Sequence, residues 1–239
     1  MKVSQCYILF LSIIRNYNNL GFDPYKFFQF IEKFTFQYSV VCKLPGNRLE
    51  KIYSKAALDI QEAAKTGPND KTRQKLQSIF SGIQNDLKDI SPSENVFLEY
   101  FPDISYKNNE ETRRLIKYIL NKFNSYYQKT DEYVINYSSV NIEHVLPQTP
   151  DKDWGLSKKD IKDYVNRLGN LTLLSQVLNS KAQNSVVSIK LGEFRKSELA
   201  ITKELVTKLD KLGGNWGEFE ITERQKELGE IAYRNIWSI

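Results

Sequence analysis

Asn141-Ile142-Glu143-His144-Val145-Leu146-Pro147-Gln148 (NIEHVLPQ) is the stretch from which the remainder of the chain is read. His144 is the only histidine among 239 residues. It directly follows a carboxylate and closes a β-branched run (Val140, Ile142). Pro147 then ends the element that carries it. Downstream come Arg167–Leu174 (RLGNLTLL) and Leu178–Asn184 (LNSKAQN), two further polar clusters set against apolar ones.

Working back from this stretch, the pattern is helical. Val3–Tyr17 is mostly apolar. Its core, Cys6–Ile14 (CYILFLSII), lacks a small-residue cleavage site and is too short to span a bilayer, so it reads as a buried first helix. Asp23-Pro24 is a helix start, and Phe27, Phe28, Ile31, Phe34 and Tyr38 then follow at core spacing. Pro45-Gly46 and Gly67-Pro68 separate a helix over Leu49–Ala64 from one carrying Leu76, Ile79, Phe80 and Ile83. Ser91-Pro92-Ser93 opens a short helix through Tyr100, and Asn108–Phe123 forms another. The Arg113-Arg114 pair in that last helix reads as a solvated face rather than a DNA patch.

Forward from Thr130 the pattern changes. Tyr133–Tyr137 and Val140–Ile142 have strand composition, and Pro147–Trp154 is a loop. Ser157–Asn166 is a short helix with Ser157 as cap and Asp160 three residues on. Gly169 marks a turn, Leu171–Leu174 a strand and Gln176–Ala182 a helix. Ile189–Leu212 and Thr222–Trp237 are closing helices, separated by Gly213-Gly214-Asn215-Trp216. The expected architecture is α+β and predominantly α. A helical bundle occupies residues 1–130, and a strand–strand–helix unit with closing helices occupies 131–239.

Bulk properties bound the function. A formal net charge of +5, contributed mostly before Ser139, permits a phosphate-rich partner through a local patch rather than a polybasic sheet. Cys6 and Cys42 have no metal-ligand spacing and make no disulfide framework, which fits a reducing compartment. The expectation is a cytoplasmic protein with no membrane partner. A carboxylate, an imidazole and two separated asparagines are the residue types of a one-metal nuclease. Histidine supplies a neutral base near pH 7 with little tuning, and a hard cation such as Mg²⁺ takes oxygen ligands and keeps several waters. Glu143 and Asn179 are the oxygen donors available. Because adjacent strand residues face opposite ways, a strand end or kink must bring Glu143 and His144 to one site.

The ordered runs IEHVLPQ, RLGNLTLL and NSKAQN, then Lys190, Phe194 to Ser197, Trp216 and Ile221 to Arg224, resemble the HNH (His-Me finger) nuclease domain. More narrowly, they resemble the C-terminal nuclease half of GmrSD-type modification-dependent restriction endonucleases. The resemblance covers about Tyr133 to the C-terminus, and FLEYFPDI (Phe97–Ile104) is similar to the family's middle region. It implies a ββα-metal finger that hydrolyses DNA phosphodiesters, with phage or modified DNA as substrate. His144 would be the general base, Glu143 and Asn179 the ligands of a divalent metal (Mg²⁺, with Mn²⁺ as the other candidate), and Asn170 the brace of the His144 segment. Lys181, Arg167, Asn184 and Lys190 would contact phosphate or scaffold.

The family's ParB-like nucleotide-hydrolysing domain has no counterpart in these motifs, so a sensor domain or separate subunit is the expected partner. A homodimer, or two successive events, would serve to cut both strands. There is no cysteine zinc knuckle, so the finger must be held by packing. The competing reading is a catalytically inactive helical module that binds nucleic acid or protein.

Overall fold

The computed structural model describes residues 4–128 and 139–239. The strand expected over 133–137 and the domain boundary expected at residue 130 lie outside the described residues. The described chain is predominantly helical, with one two-stranded antiparallel sheet. It divides into two compact units, residues 1–97 with 237–239, and residues 98–236.

The first unit contains α1 (Tyr7–Arg15), α2 (Tyr17–Leu20), α3 (Tyr25–Thr35), α4 (Asn47–Ala64) and α5 (Asp70–Asp89). Gly21, at φ 68°, turns the chain after α2, a conformation glycine adopts without Cβ strain. The stripe expected on α3 is the core: Phe27, Ile31 and Phe34 are buried together with Leu9, Ile13, Tyr53, Ile60, Leu76, Phe80 and Leu87. Each such side chain stabilises the fold by roughly 1.5–3 kcal/mol. The first helix departs from expectation. Leu9 and Ile13 are buried, but Tyr7, Leu11 and Ile14 are 57, 67 and 64 % exposed. An α-helix packed mainly on one neighbour, here α4, covers one stripe only, and an apolar run long enough to wrap the helix leaves the rest in the open.

α6 (Glu94–Tyr100) and a short 3₁₀ turn, Phe101–Asp103, lead into α7 (Glu110–Tyr127). Asn109 caps α7, its side-chain oxygen accepting from Thr112 N at 2.8 Å. The strands are β1 (Val140–His144) and β2 (Leu171–Ser175), paired from Val140 with Ser175 to His144 with Leu171. Four of the five β2 residues are buried, because α7 and α11 (Ala200–Lys211) pack on the sheet together with α9 (Gln176–Ala182), which follows β2 directly.

Two expected helices are shorter or divided. The one expected over 157–166 is α8 (Lys158–Ile161), opened by the Ser157–Asp160 capping box. Beyond Ile161 the ladder tightens, Tyr164 N and Arg167 N bonding three residues back to Ile161 O and Tyr164 O, while Val165 O accepts from Asn170 Nδ2 and Asn166 O from Tyr106 N. The single helix expected over 189–212 is α10 (Val187–Phe194) followed by α11. Between them Ser197 Oγ accepts from Leu199 N, a local bond that competes with the helical ladder. The last helix, α12 (Glu218–Ile231), starts a turn earlier than expected because Glu220 bonds back to Gly217 N at 2.9 Å.

α12 fixes the turn that carries Asn170. Arg224, 1 % exposed, donates from Nη1 to Gly169 O at 2.9 Å and Leu171 O at 2.8 Å, while Gln225 Oε1 accepts from Gly169 N at 2.6 Å. A Cβ at Gly169 would stand 2.1 Å from the Ile221 carbonyl oxygen. Gly169→Ala is therefore expected to force α12 off the turn and to destabilise the protein by about 1–3 kcal/mol, read from the midpoint of chemical denaturation.

Candidate active site

His144 ends β1 and keeps regular strand geometry, so its side chain and that of Glu143 leave the strand on opposite sides. No kink intervenes before the histidine. The imidazole stands edge-on to the Tyr106 ring, with centroids 5.0 Å apart, and its Nε2 lies 3.2 Å from Asn166 Oδ1. That oxygen also accepts from Gln148 Nε2 at 2.7 Å. A carbonyl oxygen can only accept, so Nε2 carries the proton and Nδ1 holds the free lone pair. Burial pulls the ring's pKa from 6.5 down to about 4; the Asn166 bond opposes this and the nearby Lys190 charge adds to it.

Glu143 points the other way, into the protein. Lys190 of α10, fully buried, donates to Glu143 Oε1 at 2.6 Å and to the His144 carbonyl at 2.7 Å. Burial pushes the Glu143 carboxyl up and the Lys190 ammonium down, and each is pulled back by the other's charge. One ammonium thus holds both the carboxylate and the backbone of the histidine. Despite the opposed side chains, Glu143 and His144 border one polar recess of about 190 Å³ with Gln148, Gln183, Asn184 and Lys190. Gln183 there has φ 46° and ψ −142°, a strained conformation for any residue but glycine.

Asn170 is fully buried and uses its amide completely. Nδ2 donates to Leu146 O at 2.8 Å and Val165 O at 2.7 Å, while Oδ1 accepts from Leu146 N at 2.9 Å and Trp216 Nε1 at 3.0 Å. It touches the segment just after His144 rather than the ring. Asn179, on α9, lines a separate recess with Tyr106, Arg113, Lys117, Asn141 and Ile142. Its Oδ1 is buried and has no hydrogen-bond partner among the described residues. Among the remaining expected residues, Lys181 is exposed, and Asn184 borders the His144 recess while its carbonyl accepts from Trp154 Nε1. Arg167 bonds Thr222 Oγ1 at 3.0 Å.

Sequence reasoning missed Asn166 and Tyr106, which set the histidine's tautomer and surroundings. Gln148 carries a signal, since it closes the quoted NIEHVLPQ stretch. Tyr106 carries none, because its place depends on a backbone bond to Asn166 across 60 residues of chain.

The two oxygens expected to hold a hard cation border separate recesses. Glu143 offers a carboxylate with one oxygen held by Lys190, and Asn179 offers a buried amide oxygen in want of a partner. Among the described residues no three His, Cys, Asp or Glu side chains cluster to hold a metal, so such an ion would keep most of its waters. No described helix is long and apolar enough to cross a membrane. Residues 91–231 match the family described as GmrSD restriction endonucleases, C-terminal domain. No individual curated protein matches the chain.

Because His144 is the only histidine, its ring signals in an NMR titration are unambiguous. They are expected to titrate near pH 4 rather than 6.5, and lower still in Asn166→Ala, which removes the contact that favours the charged ring. Between pH 6.5 and about 4 the unfolded ring takes up a proton that the folded ring refuses. Stability should accordingly fall as pH drops through that window.

Proposed function

Since the chain belongs to the family of GmrSD restriction endonuclease C-terminal domains, we propose that β1, β2 and α9 form an HNH-type, ββα-metal nuclease centre that hydrolyses DNA phosphodiesters with His144 as general base. The observation that carries this reading is the imidazole itself: a neutral ring, oriented through Nε2 by Asn166, with Nδ1 left to accept a proton at the edge of a polar recess.

In this reading His144 Nδ1 takes a proton from water, the water oxygen attacks phosphorus, and the bond to the 3′ oxygen breaks. Asn166 and Gln148 keep the ring from rotating, and Tyr106 shields one edge of it from solvent. Lys190 holds the His144 carbonyl, so the base is fixed at its backbone as well as at its ring. Burial makes the ring a weak base on its own, and an arriving phosphodiester anion raises its proton affinity. Glu143 borders the His144 recess and Asn179 the separate one beside Tyr106, so either oxygen singly would anchor a divalent cation, Mg²⁺ or Mn²⁺, which would supply charge stabilisation at the phosphate and the departing oxygen. Asn170 keeps the turn after the base in place.

Plasmid nicking in the presence of Mg²⁺ tests the base. Wild type is expected to cut, and His144→Ala to lose on the order of 10²–10⁴-fold in rate. Equal cutting by the two proteins, or no cutting by wild type, would sink the assignment. Asn179 is tested by binding as well as by rate. Asn179→Ala deletes an unpartnered oxygen, so the denaturation midpoint should shift by no more than about 0.5 kcal/mol. Its Mn²⁺ affinity, measured calorimetrically, should nonetheless drop together with activity.

A further inference from the structure

We propose that Arg113 and Lys117, one turn apart on α7, form a phosphate-binding subsite for the DNA backbone beside the His144 centre, a proposal that rests on the nuclease reading above. The two side chains share a helix face, being i and i+4, and border the recess of about 270 Å³ that also contains Asn141, Ile142 and Asn179. This recess adjoins the base through one ring: Tyr106 lines it and stands against His144. Among the described residues that border it, the charged side chains are these two cations and no carboxylate.

The two cations are also available. Lys117 makes no ion pair or hydrogen bond among the described residues. Among the described residues Arg113 makes an exposed hydrogen bond of 3.2 Å to Asn108 Oδ1 and a long contact of 3.5 Å to Glu110. Glu110 is engaged more closely by Arg114 at 2.8 Å, and exposed pairs of this kind hold their partners weakly. Arg114 thus belongs to the solvated face read from the sequence, whereas its half-exposed neighbour Arg113 borders the recess. A guanidinium fork and a point-charge ammonium over amide groups make a surface suited to a backbone phosphate, one that carries no base-reading geometry.

The experiment measures binding of a fluorescently labelled DNA duplex by anisotropy in EDTA, so that nothing is cut, across a range of salt concentrations. Arg113→Glu with Lys117→Glu is expected to weaken binding by about tenfold or more at low salt. Because two phosphate contacts are lost, the slope of log affinity against log salt should become shallower by roughly two. The loss should be the same for unrelated duplex sequences. Arg113→Lys with Lys117→Arg should retain most of the affinity. Lys196→Glu with Lys226→Glu makes the same charge change on exposed lysines of the same compact unit and serves as the control. If the α7 reversal weakens binding no more than this control while wild type binds and cuts, the subsite is overturned and the nuclease reading stands. If wild type neither binds nor cuts, both are overturned.

Discussion

The Asn170 amide is the contact on which the geometry of the site depends. An asparagine side chain has two donor hydrogens and two acceptor lone pairs, and this one, fully buried, places all four on protein partners. Three segments far apart in sequence meet there: the turn after His144, the end of the α8 segment at Val165, and Trp216 ahead of α12. None of these partners is interchangeable, because a buried amide that loses one partner carries the desolvation cost of the group left behind. The turn bearing Asn170 is itself clamped by Arg224 and Gln225, and Gly169 permits the close approach. From the C-terminal helix, polar contacts run through Gly169 and Asn170 to Leu146, two residues beyond the histidine.

Charge is buried around this frame at a cost that packing alone would not justify. Lys190 and Glu143 together are a poor source of stability, since well-packed apolar residues of similar volume would serve as well or better. Arg224 is a sharper case. Nη1 is satisfied, but Nε and Nη2 have no hydrogen-bond partner and Glu204 stands 3.9 Å away. Both buried cations point at backbone carbonyls next to site residues: Lys190 at His144, Arg224 at Gly169 and Leu171. They fix backbone position at the strand ends, which apolar side chains cannot do through directional contacts.

Much of this was legible in the sequence, for identifiable reasons. Strong periodicity gave the α3 stripe and the α5 face, and the Ser157–Asp160 cap gave the start of α8. The runs around His144, Asn170 and Asn179 stood out because polar residues interrupt otherwise apolar strands and helices. What was not legible depends on contacts between distant segments. The segment after α8 is held by donors from outside it, Tyr106 N and Asn170 Nδ2, and local propensity contains no trace of them. The split between α10 and α11 turns on one serine hydroxyl. Arg113 and Arg114 are adjacent and chemically identical, so only the rotation of α7 separates a residue bordering a recess from one facing water.

That rotation bears on how His144 would work as the proposed base. The Lys190 charge lowers the proton affinity of His144, and burial lowers it further, so the resting ring is neutral and weakly basic. Any cation added to the neighbouring recess pushes the same way. A phosphodiester reverses the sign of this local field, because its charge offsets the cations that hold the ring deprotonated. In the proposed mechanism the strength of the base would then be coupled to occupancy of the site: an empty centre would be a poor base, and a filled one would gain basicity where the water is to be activated. This coupling needs no moving part. It would follow from placing an imidazole whose proton affinity burial has lowered between a buried ammonium and the proposed anion-binding surface.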